Sequence, residues 1–203
     1  MRVLGIAGSP RFCSNTDILM DAALKGAASK GAETEVIHVA NLNILACSHC
    51  DACLRSGNCM FTDDMQKVIK EIEQADRIVL AAPIHFMGLP SQVKTMVDRA
   101  QSFWVKKYLL KVPPLAGSRE RKGLFVTVGG RTGEHLFDGA LATVKAFFAT
   151  LDIKYAGMVA FQNVDARAMV LDHPEMTDEA FIAGQLLVDD SSAAAPLPPC
   201  LLR

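Results

Sequence analysis

The 203-residue chain has no stretch of ~20 apolar residues, so nothing in it reads as a bilayer span. Its charge leans to neither sign: 21 basic residues stand against 22 acidic ones, and the basic ones are scattered. A phosphate polymer is gripped by a concentrated basic face, so no nucleic-acid partner is expected. The apolar run from Val3 to Ala7 is too short for a signal-peptide core and leads straight into Gly8-Ser9-Pro10. The protein is therefore expected to be soluble and cytoplasmic, with no membrane partner. There is no G-x-x-x-x-G-K-[ST] loop and no G-x-G-x-x-G fingerprint, and no H-E-x-x-H or Ser–His–Asp set stands out. A dinucleotide site and a hydrolytic nucleophile are thus both without a motif.

What is present is alternation. Strand signals fall at Val3 to Ala7, Glu35 to Val39, Arg77 to Ala82, Gly123 to Val128 and Ile153 to Val159. Helical spacing fills Ser14 to Lys30, Asp64 to Ala75, Pro90 to Trp104, Glu134 to Leu151 and Thr177 to Val188. Short apolar strands separated by helices predict an α/β protein: a doubly wound, five-stranded parallel sheet in three layers, one domain over 1–188. Small residues in the first helix predict close packing, and Phe147-Phe148 and most methionines are expected in the core. Asp63 with Gln66 reads as the cap of the second helix, and Pro90 suits the first turn of the third. The tail, 189–203, is low in complexity and expected to be disordered. Its Cys200-Leu201-Leu202-Arg203 ending lacks a usual prenylation terminus and is given no role.

Two segments carry chemistry. Gly8-Ser9-Pro10-Arg11-Phe12-Cys13-Ser14-Asn15-Thr16 leaves the first strand and opens the first helix. Backbone N–H groups there converge at the positive helix end, and Ser9, Arg11, Ser14, Asn15 and Thr16 add donors suited to a terminal phosphate. The same spacing also describes an ordinary strand-to-helix turn capped by Ser14 or Thr16. The second segment, 40–62, is a loop long enough to imply a function, and it holds Cys47, Cys50, Cys53 and Cys59 in a C-x2-C-x2-C-x5-C run. Thiols stay reduced in the cytoplasm, so metal ligation is a stronger reading than disulfides. Three thiolates two residues apart can wrap one face of a four-iron cubane and the fourth can return after a turn; a zinc site of four thiolates remains open. Cys13 is expected to be a small buried hydrophobe, and Asp98-Arg99 an ion pair at a helix end or a subunit contact with no part in the chemistry.

Gly8-Ser9-Pro10-Arg11 with Ser14-Asn15-Thr16, then Ala82-Pro83-Ile84-His85-Phe86, then Lys94 and Val97-Asp98-Arg99, resemble the NADPH-dependent FMN reductase family over most of residues 1 to 160. The resemblance implies a flavodoxin-like sheet of order 2-1-3-4-5 with FMN at the C-terminal strand ends. It places the phosphate on Ser9, Arg11, Ser14, Asn15 and Thr16, the isoalloxazine ring against Pro83, Ile84, His85, Phe86 and Met87, and backbone of Gly129 and Gly130 on the far side. His85 departs from the usual Tyr, which bears on ring contacts rather than on binding. The compact cysteine run is similar to that of the iron–sulfur flavoprotein branch, which implies one cluster, expected as 4Fe-4S, passing electrons to FMN within a homo-oligomer, dimer or tetramer. Ferredoxin or NAD(P)H is then the expected redox partner, and the flavin rather than any side chain carries the chemistry. Two alternatives stay open: a cluster-free NAD(P)H-dependent FMN or quinone reductase, since related reductases carry such cysteines without a cluster, and a noncatalytic flavin-binding module with a structural zinc loop.

Overall fold

A computed structural model describes residues 1–117 and 119–190. Five parallel strands, β1 (Arg2–Ala7), β2 (Glu33–His38), β3 (Arg77–Ala81), β4 (Arg121–Val128) and β5 (Ile153–Phe161), form one sheet in the order β2-β1-β3-β4-β5. Order and direction match the expectation, because each strand is followed by a crossover helix long enough to return the chain in parallel.

The period-two alternation within strands builds the two faces. Val3, Ala7, Val79, Ala81, Leu124 and Val126 point to one side and pack against α1 (Asn15–Ser29) and, near the chain end, Ala180, Ala183 and Leu187. Leu4, Ile6, Ile78, Leu80 and Phe125 point to the other, where they meet Val68, Ile72, Val93, Met96, Val144, Phe147 and Phe148. Between the strands run a short α2 (Cys53–Ser56), α3 (Met65–Gln74), α4 (Ser91–Asp98), α5 (Gln101–Trp104) and α6 (Asp138–Thr150), and α7 (Pro174–Val188) follows β5. Gly26 of α1 and Gly184 of α7 let these two helices touch backbone to backbone: a Cβ on Gly26 would run into the Phe181 carbonyl, and one on Gly184 into the Ala23 carbonyl.

Three helix boundaries differ from the sequence expectation. The helix expected over Pro90 to Trp104 tightens at Arg99-Ala100, where Ala100 N–H reaches back only to the Val97 carbonyl (2.9 Å), and beyond α5 it widens into one π turn, Val105–Leu109. The helix expected from Glu134 starts at Asp138, because the Gln162 side chain bonds both backbone groups of Gly133 (2.8 and 3.1 Å) and holds that stretch as a loop. The last helix starts three residues early, at Pro174, whose missing N–H costs nothing in a first turn. Asp63 lies one residue outside the cap position taken by Asp64, yet performs part of a cap: its Oδ1 accepts from Met65 N–H (3.0 Å), and its N–H donates to Gln66 Oε1 (2.8 Å). The sequence expectations for residues 191–203 lie outside the described residues, as does Cys200.

Candidate functional site

The loops after β1, β3, β4 and β5 meet at the C-terminal edge of the sheet, the side on which doubly wound sheets hold ligands. At its polar end lies a cavity of about 130 Å³ lined by Ser9, Arg11, Ser14, Asn15, Thr16, Pro83, Ile84, His85 and Gly130, with Val164, Asp165 and Arg167 from the loop after β5. Ser14 is the N-cap of α1: its Oγ accepts from Asp17 N–H (3.2 Å) while Asp17 Oδ2 accepts from Ser14 N–H (3.0 Å), and its hydroxyl stands 3.1 Å from that of Thr16. Capping and facing the cavity are therefore jobs of the same residue. Ser9 Oγ accepts from Arg11 N–H (3.1 Å) and shapes the loop. Asn15 is fixed at both ends of its amide, donating to the Ala166 carbonyl (2.8 Å) and accepting from Val170 N–H (3.2 Å), so it ties α1 to the loop after β5. Ser9, Ser14, Asn15 and Thr16 are buried, whereas Arg11 is exposed.

A wider opening of about 490 Å³, lined by Ile84, Phe86, Met87, Gly129, Gly130, Arg131, Leu136 and Asp165, continues from the first, sharing Ile84, Gly130 and Asp165 with it. A small polar end thus leads into a broad, more apolar one, the shape of opening in which small ligands bind. Ile84 N–H on the Val128 carbonyl (2.9 Å) fixes the loop after β3 to β4. His85 and Gly88 then exchange both backbone bonds (3.0 and 2.9 Å), closing a two-residue turn at Phe86 and Met87, which have φ of 49° and 64°. Two left-handed non-glycine residues in a row are uncommon, and strain of this kind gathers at binding sites.

All four loop cysteines share a third cavity with Ser48, His49, Asp51, Phe61, Arg99 and Ser102. They are free thiols, Cys53 half-buried and the others exposed, and Cys50 Sγ lies 3.3 Å from Met60 Sδ. Burial raises the Cys53 thiol above its ordinary range, and the nearness of Cys59, Cys47 and Cys50 adds to it. The loop turns sharply through left-handed residues at His49, Asp51 and Gly57, the last closing α2. No group of three or more Cys, His, Asp or Glu among the described residues converges on the spacing of a single metal ion. A four-iron cubane presents its irons at four corners, so its thiolates stand further apart than those of one ion, and four thiols around one cavity fit its donor chemistry.

The ion pair expected between Asp98 and Arg99 is corrected: Arg99 pairs elsewhere. Rather than pairing with Asp98, which takes Lys94 (2.7 Å), its guanidinium turns inward to Asp63 (2.5 and 3.3 Å) and the Leu45 carbonyl (2.9 Å) and lies over the Phe61 ring. Cys13 is a second correction: it is exposed with φ of 50°, because the loop after β1 turns outward there instead of packing inward. The loop after β5 was missed altogether. Arg167 reaches back from it to the Phe12 carbonyl (2.6 Å) and lines the polar cavity, bringing a second guanidinium that no local motif announces.

A five-stranded parallel sheet of order 2-1-3-4-5 with a crevice at its carboxyl edge defines a flavodoxin-like protein. Residues 1–162 match the description of the NADPH-dependent FMN reductases, and the chain belongs to that family. An iron–sulfur flavoprotein of Archaeoglobus fulgidus is 37% identical over 99 residues, 49% of this chain, which spans only 45% of that relative's length. A second iron–sulfur flavoprotein, of Methanocaldococcus jannaschii, is 34% identical over 150 residues, 73% of this chain and 71% of the relative. Among solved structures, an NAD(P)H:quinone oxidoreductase from Methanothermobacter marburgensis superimposes with a TM-score of 0.68 at 16% identity, covering 94% of this chain and 98% of that one, a likeness of fold.

Proposed function

We propose that this chain is an FMN-dependent oxidoreductase of the iron–sulfur flavoprotein kind, passing electrons between an iron–sulfur cluster, FMN and an external partner. The supporting observation is that four thiols line one cavity on the loop after β2, at the same sheet edge where the crevice opens. In the polar end, the hydroxyls of Ser9, Ser14 and Thr16 and the first N–H groups of α1 hold the phosphate, with Arg11 and Arg167 supplying charge. Pro83 to Met87 and the Gly129-Gly130 backbone orient the ring. Asp165 is the only carboxylate among the described residues lining either opening, and offers an acceptor to ring N–H groups. Bound FMN supplies the exchange between one-electron and two-electron transfer. Cys47, Cys50, Cys53 and Cys59 hold one cluster, of the 4Fe-4S form.

The reductant is ferredoxin or NAD(P)H, and the working unit is a homo-oligomer. In support of the latter, Phe86 is fully exposed at the tip of its turn, and Trp104, Tyr108, Leu109 and Leu110 leave an apolar surface open on the single chain. The rival reading is a cluster-free NAD(P)H-dependent FMN or quinone reductase. In its favour, the protein's own hydrogen bonds tie down the ends of the cysteine loop: Asn43 N–H on Asp64 (2.8 Å), Leu45 N–H on Asp63 (2.9 Å) and Arg99 on both Asp63 and Leu45. Anaerobic purification followed by a visible spectrum and flavin, iron, sulfide and zinc assays decides. Flavin with about four irons and four sulfides per chain is expected on cubane stoichiometry. Flavin without metal, with fast NAD(P)H consumption, establishes the rival; zinc with flavin and no turnover establishes a binding module.

A further inference from the structure

The cysteine cavity contains one cation that neither the fold nor the thiol pattern requires. Arg99 is 1% exposed and its partner Asp63 4%, and its Nε is buried with no hydrogen-bond partner among the described residues. Placing a guanidinium there costs desolvation, and its one counter-charge is a carboxylate whose oxygens are shared with the Leu45 and Met65 N–H groups. A loop anchor alone has a cheaper solution, since an apolar side chain packed on Phe61 fills the same space. What distinguishes the site is its neighbour: Arg99 lines the cavity of Cys47, Cys50, Cys53 and Cys59. A guanidinium does not give up its proton in a folded protein, so Arg99 carries its charge in spite of burial.

We propose that Arg99 is the residue that sets the reduction potential of the cysteine-held centre, its buried positive charge beside Cys59 stabilising the reduced form. The inference rests on the reading of that loop as a cluster site. Four thiolates concentrate negative charge in one cavity, and each electron accepted by the group they hold adds another unit. A fixed cation at the rim favours that step, and the potential of such centres follows net charge, hydrogen bonds to sulfur and exposure. Asp63 has two effects: it keeps Arg99 in place and partly cancels its charge.

The test is an EPR-monitored redox titration of the anaerobically purified full chain, with iron, sulfide and FMN contents measured on each sample. Arg99→Met is expected to lower the cluster midpoint by at least a tenfold change in the reduced-to-oxidised equilibrium, about 59 mV for one electron. Arg99→Lys keeps the charge and is expected to stay nearer the parent. Asp63→Asn keeps the hydrogen-bonding shape, unmasks the guanidinium, and is expected to raise the midpoint. If Arg99→Met fails to fold, the opposite-signed shift in Asp63→Asn still decides. Variants that retain iron and sulfide at the parent midpoint overturn the proposal and leave Arg99 a loop anchor. A parent chain that binds FMN without iron refutes the cluster reading instead.

Discussion

Ser14 and Asp17 cap each other at the start of α1, the Ser14 hydroxyl accepting from the Asp17 N–H and the Asp17 carboxylate from the Ser14 N–H, at the point where the polar cavity meets the helix. One hydroxyl thereby caps the helix and lines the cavity. Ser14→Ala is expected to cost about 1 kcal/mol of stability, the usual worth of a cap, and to weaken FMN binding. Arg11 is exposed and makes no comparable structural bond, so Arg11→Ala leaves stability within about 0.5 kcal/mol. Its charge-assisted contact makes it the larger loss for FMN, about 1.5–3 kcal/mol in binding. Flavin titration and urea unfolding of both variants separate the two effects; unchanged FMN affinity in both refutes the phosphate assignment.

Acid weakens the cysteine loop through Asp63. Burial alone raises its pKa, but the Arg99 guanidinium and the N–H groups of Leu45 and Met65 outweigh this and hold it below the ordinary carboxylate range. A depressed folded-state pKa contributes stability that is fully present above the unfolded value near ~3.9 and is lost as pH falls through the folded one. Unfolding free energy measured from pH 6 downward is therefore expected to drop more steeply below about pH 4 in the parent than in Asp63→Asn. At pH 7, Asp63→Ala costs about 3–5 kcal/mol, because it leaves Arg99 buried without its counter-charge. Parallel acid limbs in parent and Asn variant contradict this account.

Cys50→Ser is expected to abolish cluster absorbance and iron content while leaving FMN bound, since Cys50 lines the cysteine cavity and neither flavin opening. A serine oxygen is a harder donor than a thiolate and a poorer match for iron–sulfur chemistry. Iron content equal to the parent's removes Cys50 from the ligand set.

The sheet was legible in the sequence because its signals are local. Val3 to Ala7 and Ile78 to Ala82 are continuous apolar runs, as strands buried on both faces require, and the turn into the first helix shows in its run of capping residues. What escaped depends on long-range partners. Arg99 sits in an ordinary helical pattern, and only the folded chain shows Asp63, 36 residues away, drawing it inward. Arg167 lies in an irregular stretch whose relation to Phe12, 155 residues earlier, no periodicity encodes. The topology offered one unused clue: β5 borders β4, so the loop after it belongs beside Gly129-Gly130.

The contact between α1 and α7 leaves no room for a side chain. Gly184→Ala places a methyl against the Ala23 carbonyl, an obstacle of backbone rather than of a movable side chain, so the helices have to separate. The cost is expected near the upper end of the usual about 1–3 kcal/mol for overpacking, despite the better helix propensity of alanine. Thermal unfolding checks it, and a variant as stable as the parent contradicts the close approach.

The turn at Phe86-Met87 holds side chains where a hairpin turn favours Asn-Gly. Both residues have positive φ, a conformation that costs a non-glycine residue about 1–3 kcal/mol, and the flanking His85–Gly88 bonds define the two-residue geometry in which Asn-Gly is the best fit. Replacing Phe86-Met87 by Asn-Gly is thus expected to raise the melting temperature. The same exchange strips the wide opening of two lining side chains and releases Arg131, whose Nη2 lies 3.0 Å from Met87 Sδ. FMN affinity is expected to fall while stability rises, the opposed pair of changes that marks strain retained for binding. Calorimetry and flavin titration on the double variant measure both. A gain in stability with FMN affinity unchanged shows that the turn does not contact the ring, and a loss of stability shows that Phe86 and Met87 pack better than their backbone angles suggest.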